Sequence, residues 1–193
     1  MSSIYGDQYG RLEETMEKLL AAIDGIRDEM SAETGMDPVE HTLGRIKSEE
    51  SMREKCRRQG LPETEESALA VLHDAIGVRI VCAFLDDVYE IRDRLAALPA
   101  LEIVEEKDYI RHAKPNGYRS LHLIVRVDGR YPAEIQLRTI SMDTWAALEH
   151  HLKYKKDIGG NLDLITGELK RCADELASTD ASMQTIRDMI RTM

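Results

Sequence analysis

Between Arg111 and His122 the chain carries no acidic residue, and that stretch holds its most distinctive run, Lys114-Pro115-Asn116-Gly117-Tyr118-Arg119-Ser120-Leu121-His122. Pro-Asn-Gly makes a tight turn into a strand. Lys107, Arg111, Lys114, Arg119 and His122 gather cations around that turn, which suits a polyphosphate, and Tyr118 offers a flat face on which a base can stack. A basic turn with a surface tyrosine accounts for the same residues equally well.

A second basic cluster runs Arg45-Ile46-Lys47-Ser48 into a helix on which Ser51, Lys55 and Arg58 share one face at i, i+4 and i+7. Backbone N–H groups and cations converging at a helix start make a phosphate site. Taken alone, a solvated Lys/Arg-rich helix is the simpler reading, with Glu49, Glu50 and Glu54 offsetting its charge. The third element is a pair of carboxylates. Asp74 precedes an apolar strand and Glu134 lies on the polar face of a hairpin. Phosphoryl-type transfer needs hard oxygen ligands for Mg²⁺ and a group to take the acceptor proton. Each acid in isolation is as well explained by a cap or an ion pair.

The elements that must position these residues follow from periodicity. Leu12, Met16, Leu19, Ile23, Ile26 and Met30 form one helical stripe that Gly35 and Pro38 end. A helix is expected over 48–59, capped by Ser48 and stopped by Gly60 and Pro62, and a short one over 63–73. Val78–Phe84 is β-branched and apolar, hence a buried strand. A helix over 86–97 and short strands at 101–105 and 108–111 follow. Leu121–Val127 and Tyr131–Leu137 alternate, with Asp128-Gly129 between them. A two-residue loop would place Glu134 beside Leu123 and Val125. A three-residue loop places Glu134 and Gln136 beside His122 and Arg126 and leaves the apolar residues together; burial favours the second. Helices over 140–155 and 162–191 complete the chain, the last with Ile165, Leu169, Cys172, Leu176, Met183, Ile186 and Ile190 at helical spacing. The fold class is α/β (α+β), a mixed five-stranded sheet flanked by helices. It forms one domain, with a helical arm over 1–40, a core over 41–156 and a second arm over 157–193.

With 42% hydrophobic and 32% charged residues, the 193-residue chain has enough apolar content for a packed core. A net charge of −10 argues against duplex DNA as a partner, so any anion must be held by a local basic pocket. No apolar run approaches the roughly 20 residues of a membrane span, and Met1–Arg11 lacks a secretory pattern. Cys56, Cys82 and Cys172 show no metal-ligand spacing and read as small buried residues in a reducing compartment, so a cytoplasmic location is expected.

Arg45-x-Lys47, Asp74-x-x-Gly77-x-Arg79, Lys114–His122, Glu134-x-Gln136-x-Arg138-Thr139 and Trp145–Lys155 occur in that order. Together they resemble the synthetase domain of the RelA/SpoT family, in particular its stand-alone small alarmone synthetases, over about residues 40–156. Ile4-Tyr5-Gly6-Asp7 and the first helix resemble the small class too. The resemblance implies a nucleotidyltransferase-like fold and transfer of pyrophosphate from ATP to the 3′-hydroxyl of GDP or GTP, giving AMP and (p)ppGpp in the stringent response. It implies that Arg45 and Arg79 sandwich adenine, and that Lys47, Ser51, Lys55 and Arg58 hold ATP phosphates. Asp74 and Glu134 would bind Mg²⁺, with Glu134 near the acceptor hydroxyl. Tyr118 would stack on guanine, Lys107, Lys114 and His122 would hold its phosphates, and Asp143 would accept hydrogen bonds from the guanine edge. A homotetramer is implied as well.

His73-Asp74 resembles a pair in the hydrolase domain of the long family members, but the chain is too short for that domain, so no hydrolysis is expected. His41 and Leu43 depart from the pattern of an allosteric nucleotide site in some small synthetases. Three other readings remain: the same transfer to an adenine nucleotide or a tRNA 3′ end, a non-catalytic guanine-nucleotide regulator, and an RNA-binding module. A single-stranded RNA effector is compatible with the first reading.

Overall fold

The computed structural model describes residues 3–153 and 162–193. Its elements in chain order are α1 (Tyr9–Thr34), β1 (Val39–Ile46), α2 (Glu49–Arg58), a single helical turn over Ser67–Val71, β2 (Ile76–Cys82), α3 (Leu85–Ala97), β3 (Leu101–Asp108), β4 (Leu121–Val127), β5 (Tyr131–Thr139), α4 (Ile140–Lys153) and α5 (Leu162–Arg191). The strands form one mixed sheet in the order β1-β2-β5-β4-β3. β2 and β5 pair in parallel at its centre, and every other pairing is antiparallel.

The two faces of the sheet separate cleanly. Val78, Ile80, Leu121, Leu123, Val125, Ile135 and Leu137 are buried on one face. They pack with Leu12, Leu19 and Ile23 of α1 and Val88, Ile91 and Leu95 of α3 in one core. Each such side chain contributes about 1.5–3 kcal/mol by leaving water. Ser48 caps α2 by accepting from the Ser51 N–H, and Gly35 ends α1 in the left-handed region.

The hairpin has the three-residue connection that burial favours. Val127 pairs with Tyr131, so Ile124 faces Glu134 and His122 faces Gln136. Asp128 and Gly129 both take positive φ there.

Several expectations are corrected. The strand count agrees, but its members differ. β1 is a strand the periodicity did not indicate. The pieces expected at 101–105 and 108–111 are one strand, β3, with a register shift between Ile103 and Glu105. Beyond it Asp108 Oδ1 accepts from the backbone N–H groups of Ile110 and Arg111, both at 2.9 Å, and turns the chain out of the sheet. The helix expected over 63–73 reduces to about one turn. Cys56 and Cys82 are buried as expected, but Cys172 is exposed. The C-terminal stripe also divides: Met183, Ile186 and Ile190 face outward. α5 instead docks through polar groups, with Thr139 donating to Asp180 at 2.5 Å and buried Arg187 paired with Asp86. The end of the expected 140–155 helix and the start of the C-terminal arm lie outside the described residues.

α5 also presses on the Pro-Asn-Gly turn. Gly117 has φ +92°, and a Cβ there would stand 2.6 Å from Ala173 Cβ and 2.9 Å from Lys170 Cα. Gly129, at φ +68°, has nothing within 4 Å. Urea unfolding should therefore show Gly117→Ala losing at least about 2 kcal/mol, against about 1 kcal/mol for Gly129→Ala. Equal losses would mean that α5 does not clamp the turn.

Candidate active site

The polar face of the sheet carries the site. One rung crosses all five strands: Leu43, Arg79, Gln136, His122 and Lys107 are successive register partners. On the adjoining rung Arg45 pairs with Gly77 and Gly77 with Glu134. Gly77 puts no side chain between Arg45 and Arg79, and only Arg45 atoms lie within 4 Å of where its Cβ would be. A cleft of about 380 Å³ opens over this region, lined in part by Arg45, Lys47, Asp74, Arg79, Glu134 and Gln136.

Asp74 stands at the foot of β2, where the Lys47 N–H donates to the Ala75 carbonyl at 2.9 Å and holds the start of α2 against it. Its Oδ2 is paired with Lys47 and, at 2.7 Å, with Lys55. Burial acts to raise the Asp74 pKa, but the two lysines outweigh it and hold the carboxyl below its ordinary value. Oδ1 is buried and has no hydrogen-bond partner. Glu134 accepts from His122 Nδ1 at Oε1 and from Gln136 Nε2 at Oε2, each at 3.1 Å. Burial again pushes upward, His122 and Gln136 pull down, and the net shift is downward, with the charge of Asp74 opposing it.

An unpartnered carboxylate oxygen and a second acid on the same cleft fit a magnesium site. Mg²⁺ typically uses one or two protein carboxylates and completes its shell with water and substrate phosphates. No cluster of three or more potential ligands occurs among the described residues, so Asp74 and Glu134 would share the ion with phosphate oxygens.

The other side of Glu134 is built on the Pro-Asn-Gly turn. Asn116 Oδ1 accepts from the Tyr118 N–H at 3.2 Å, and its amide donates to Glu149. Lys114 Nζ lies 4.5 Å from the Tyr109 ring centre and 5.0 Å from that of Tyr118. Arg138, 5% exposed, donates to the Tyr118 hydroxyl at 2.8 Å and to Gln136 Oε1 at 3.0 Å. Asp143 joins the two halves, its Oδ1 pairing with Arg138 at 3.1 Å and Arg79 at 3.2 Å.

Eleven of the thirteen residues expected from the sequence thus fall into one connected region: Arg45, Lys47, Lys55, Asp74, Arg79, Lys107, Lys114, Tyr118, His122, Glu134 and Asp143. Lys107 is half-exposed and paired with Glu105. Ser51, bonded to Ser48, and exposed Arg58 on the last turn of α2 do not line the cleft. Three contributors were not singled out. Arg138 is only a letter in a motif, and Gln136 is placed on the polar face by the hairpin register without a role of its own. Tyr5, fully buried, donates to the Lys47 carbonyl at 2.7 Å and so ties the N-terminal segment to the start of α2. Its place in the Ile4–Asp7 motif was the available signal.

Residues 44–159 match the sequence profile described as "Region found in RelA / SpoT proteins". The chain belongs to the RelA/SpoT family. Over 162 residues it is 43% identical to GTP pyrophosphokinase YwaC of Bacillus subtilis, spanning 79% of this chain and 76% of that one. It is 34% identical to GTP pyrophosphokinase YjbM of the same organism over 186 residues, 92% and 86% of the two chains. Its fold superposes with a TM-score of 0.80, at 31% identity, on the crystal structure of small alarmone synthetase 1 from Bacillus subtilis bound to its product pppGpp, covering 95% of this chain and 98% of that one.

The lowered Asp74 pKa carries a signed consequence. A carboxyl whose folded value lies below its unfolded value of 3.8 stabilises the fold above that pH, and the contribution disappears as pH falls through the folded value. In Asp74→Asn the unfolding free energy should therefore fall less steeply below about pH 4 than in the wild type. Parallel acid limbs would mean that the lysine pairs do not hold Asp74 ionised.

Proposed function

We propose that this RelA/SpoT-family chain is a GTP pyrophosphokinase that transfers the terminal pyrophosphoryl group of ATP to the 3′-hydroxyl of GDP or GTP. The observation that carries the reading is one cleft that holds two acids beside Arg45, Lys47 and Arg79, with His122, Tyr118 and Lys114 joined to it through Glu134, in a chain closely related to proteins that bear that name. ATP lies on the β1–β2 side, its adenine between Arg45 and Arg79, where Gly77 leaves the space open. Lys47 and Lys55 turn from Asp74 to the ATP phosphates, with Ser51 on the first turn of α2 and Arg58 on its last, both outside the cleft. The guanine nucleotide lies on the β4–β3 side, stacked on Tyr118, with Lys107 and Lys114 at its phosphates; His122, which the resemblance also assigns to them, has both ring nitrogens engaged by Tyr118 and Glu134. The Asp143 carboxylate accepts from the guanine N1–H and 2-amino group, a pair of donors that adenine does not offer.

In the transfer, the ribose O3′–Pβ bond forms as the bond from Pβ to the α,β-bridging oxygen breaks. AMP leaves with the bonding electrons, and Glu134 takes the hydroxyl proton. Magnesium held by Asp74 and Glu134 would neutralise charge on the phosphates. The chain itself supplies alignment of the two nucleotides and a fixed cationic surround.

A homo-oligomer, expected as a tetramer, is supported by the outward-facing Met183, Ile186, Met189 and Ile190 of α5. No helix among the described residues is long and apolar enough to cross a membrane, in keeping with a cytoplasmic enzyme. Retention of both acids with their hydrogen-bond partners favours catalysis over a binding-only regulator.

Incubation with labelled ATP, Mg²⁺ and GDP, GTP or GMP in turn should give AMP and a 3′-pyrophosphorylated guanine nucleotide. Binding without product would favour a sensor, and product only with an adenine nucleotide or tRNA would move the acceptor. Glu134→Gln should lower turnover by at least about 10²-fold with the circular dichroism spectrum unchanged; wild-type turnover would remove Glu134 from the reaction.

A further inference from the structure

Glu134 lies at one end of a closed ring of hydrogen bonds, and the chemistry of each member fixes where the protons sit. A guanidinium only donates. Arg138 Nη2 donates to the Tyr118 phenol oxygen at 2.8 Å and to the Gln136 carbonyl at 3.0 Å. Tyr118, having accepted there, has its own proton to give to His122 Nε2, 2.8 Å away. A neutral His122 then accepts at Nε2 and carries its hydrogen on Nδ1, which faces Glu134 Oε1 at 3.1 Å. On the other arm the engaged Gln136 carbonyl leaves its amide NH₂ to meet Glu134 Oε2 at 3.1 Å. Both arms start from one nitrogen and end on the two oxygens of one carboxylate. With His122 neutral and Glu134 ionised, no other proton placement satisfies all five side chains.

We propose that Arg138 and the Tyr118 hydroxyl are positioning residues for the transfer: through His122 and Gln136 they fix the orientation of the Glu134 carboxylate toward the cleft. Arg138 is suited to anchor the ring because it is itself fixed. It is buried, its Nη1 is paired with Asp143, and its Nε lies 3.4 Å from Ser120 Oγ. Tyr118 therefore has two separable duties, a ring face for the acceptor base and a hydroxyl that acts on Glu134. The inference rests on the transfer proposed above.

Removing Arg138 strips Asp143 of a partner and risks the fold. The test therefore uses Tyr118→Phe and Gln136→Leu, each of which cuts one arm and strands no buried charge. Tyr118→Phe keeps the stacking face. Its kcat should fall about tenfold, while KM for the guanine nucleotide stays within about threefold. Gln136→Leu should likewise lower kcat.

The ¹⁵N spectrum of His122 gives a readout independent of turnover. At about pH 8, above the ordinary histidine range, the wild type should show a protonated Nδ1 and a bare Nε2, and Tyr118→Phe should show a tautomer mixture. An unchanged kcat in Tyr118→Phe, a rise in KM that matches the fall in kcat, or a wild-type His122 protonated on Nε2 would overturn the proposal. A wild type that makes no product with any acceptor would sink the transfer reading, and the tautomer measurement would still decide whether the ring is as drawn.

Discussion

The parallel pairing of β2 with β5 is the constraint on which the rest of the site depends. It places Gly77 opposite Glu134 and Arg79 opposite Gln136. Two segments distant in the chain thereby share one polar surface. A parallel pair needs a long crossover, and here that crossover includes α3, β3 and β4. The same connection delivers the basic turn and His122 to the far side of Glu134. A slip of one residue in either of the pairings β5 makes would send Glu134 into the core and Ile135 into the cleft. The burial of Leu123, Ile135 and Val78 on the opposite face opposes such a slip. Hydrophobic packing on one side of the sheet thus sets the chemistry on the other.

The charges of the site are paired with one another. Lys47 and Lys55 share Asp74, and Arg79 and Arg138 share Asp143. Such pairs hold partly buried cations in place without substrate. In the proposed binding mode, arriving phosphates would compete with carboxylates for the same lysines. Arg138 differs from the other cations in being almost fully enclosed, which suits an anchor better than a substrate ligand. α5 adds a second constraint from outside the sheet. It packs on Gly117, accepts from the Trp145 indole through the Leu169 carbonyl, and pairs with Arg119 through Asp174. The platform that carries Tyr118 is therefore held by the C-terminal helix as well as by β4.

Much of this was legible in the sequence because alternation reports faces. The hairpin register, the buried β2 and the polar side of Glu134 all follow from which residues need burial. β1 was not legible for the complementary reason. It is an edge strand whose only fully buried residue is Val39, and its apolar Leu43 stands exposed over the cleft. The division of β3 came from its register shift, which breaks alternation at Val104. Periodicity placed an apolar stripe on α5 but did not say which side meets the domain; Asp180 and Arg187 decide that, through partners distant in sequence. The ring around Glu134 was invisible for a similar reason. Arg138 and Gln136 sit at alternating positions that any polar strand face would show, and only the partners across the sheet give them meaning.

In the proposed transfer, Asp74 and Glu134 meet one divalent ion between the two nucleotides. Anomalous diffraction from crystals grown with Mn²⁺ and a non-hydrolysable ATP analogue tests this directly. A manganese peak within about 2.5 Å of both Asp74 Oδ1 and a Glu134 oxygen is expected. A peak held by one acid alone, or placed at Asp143 or outside the cleft, would contradict it.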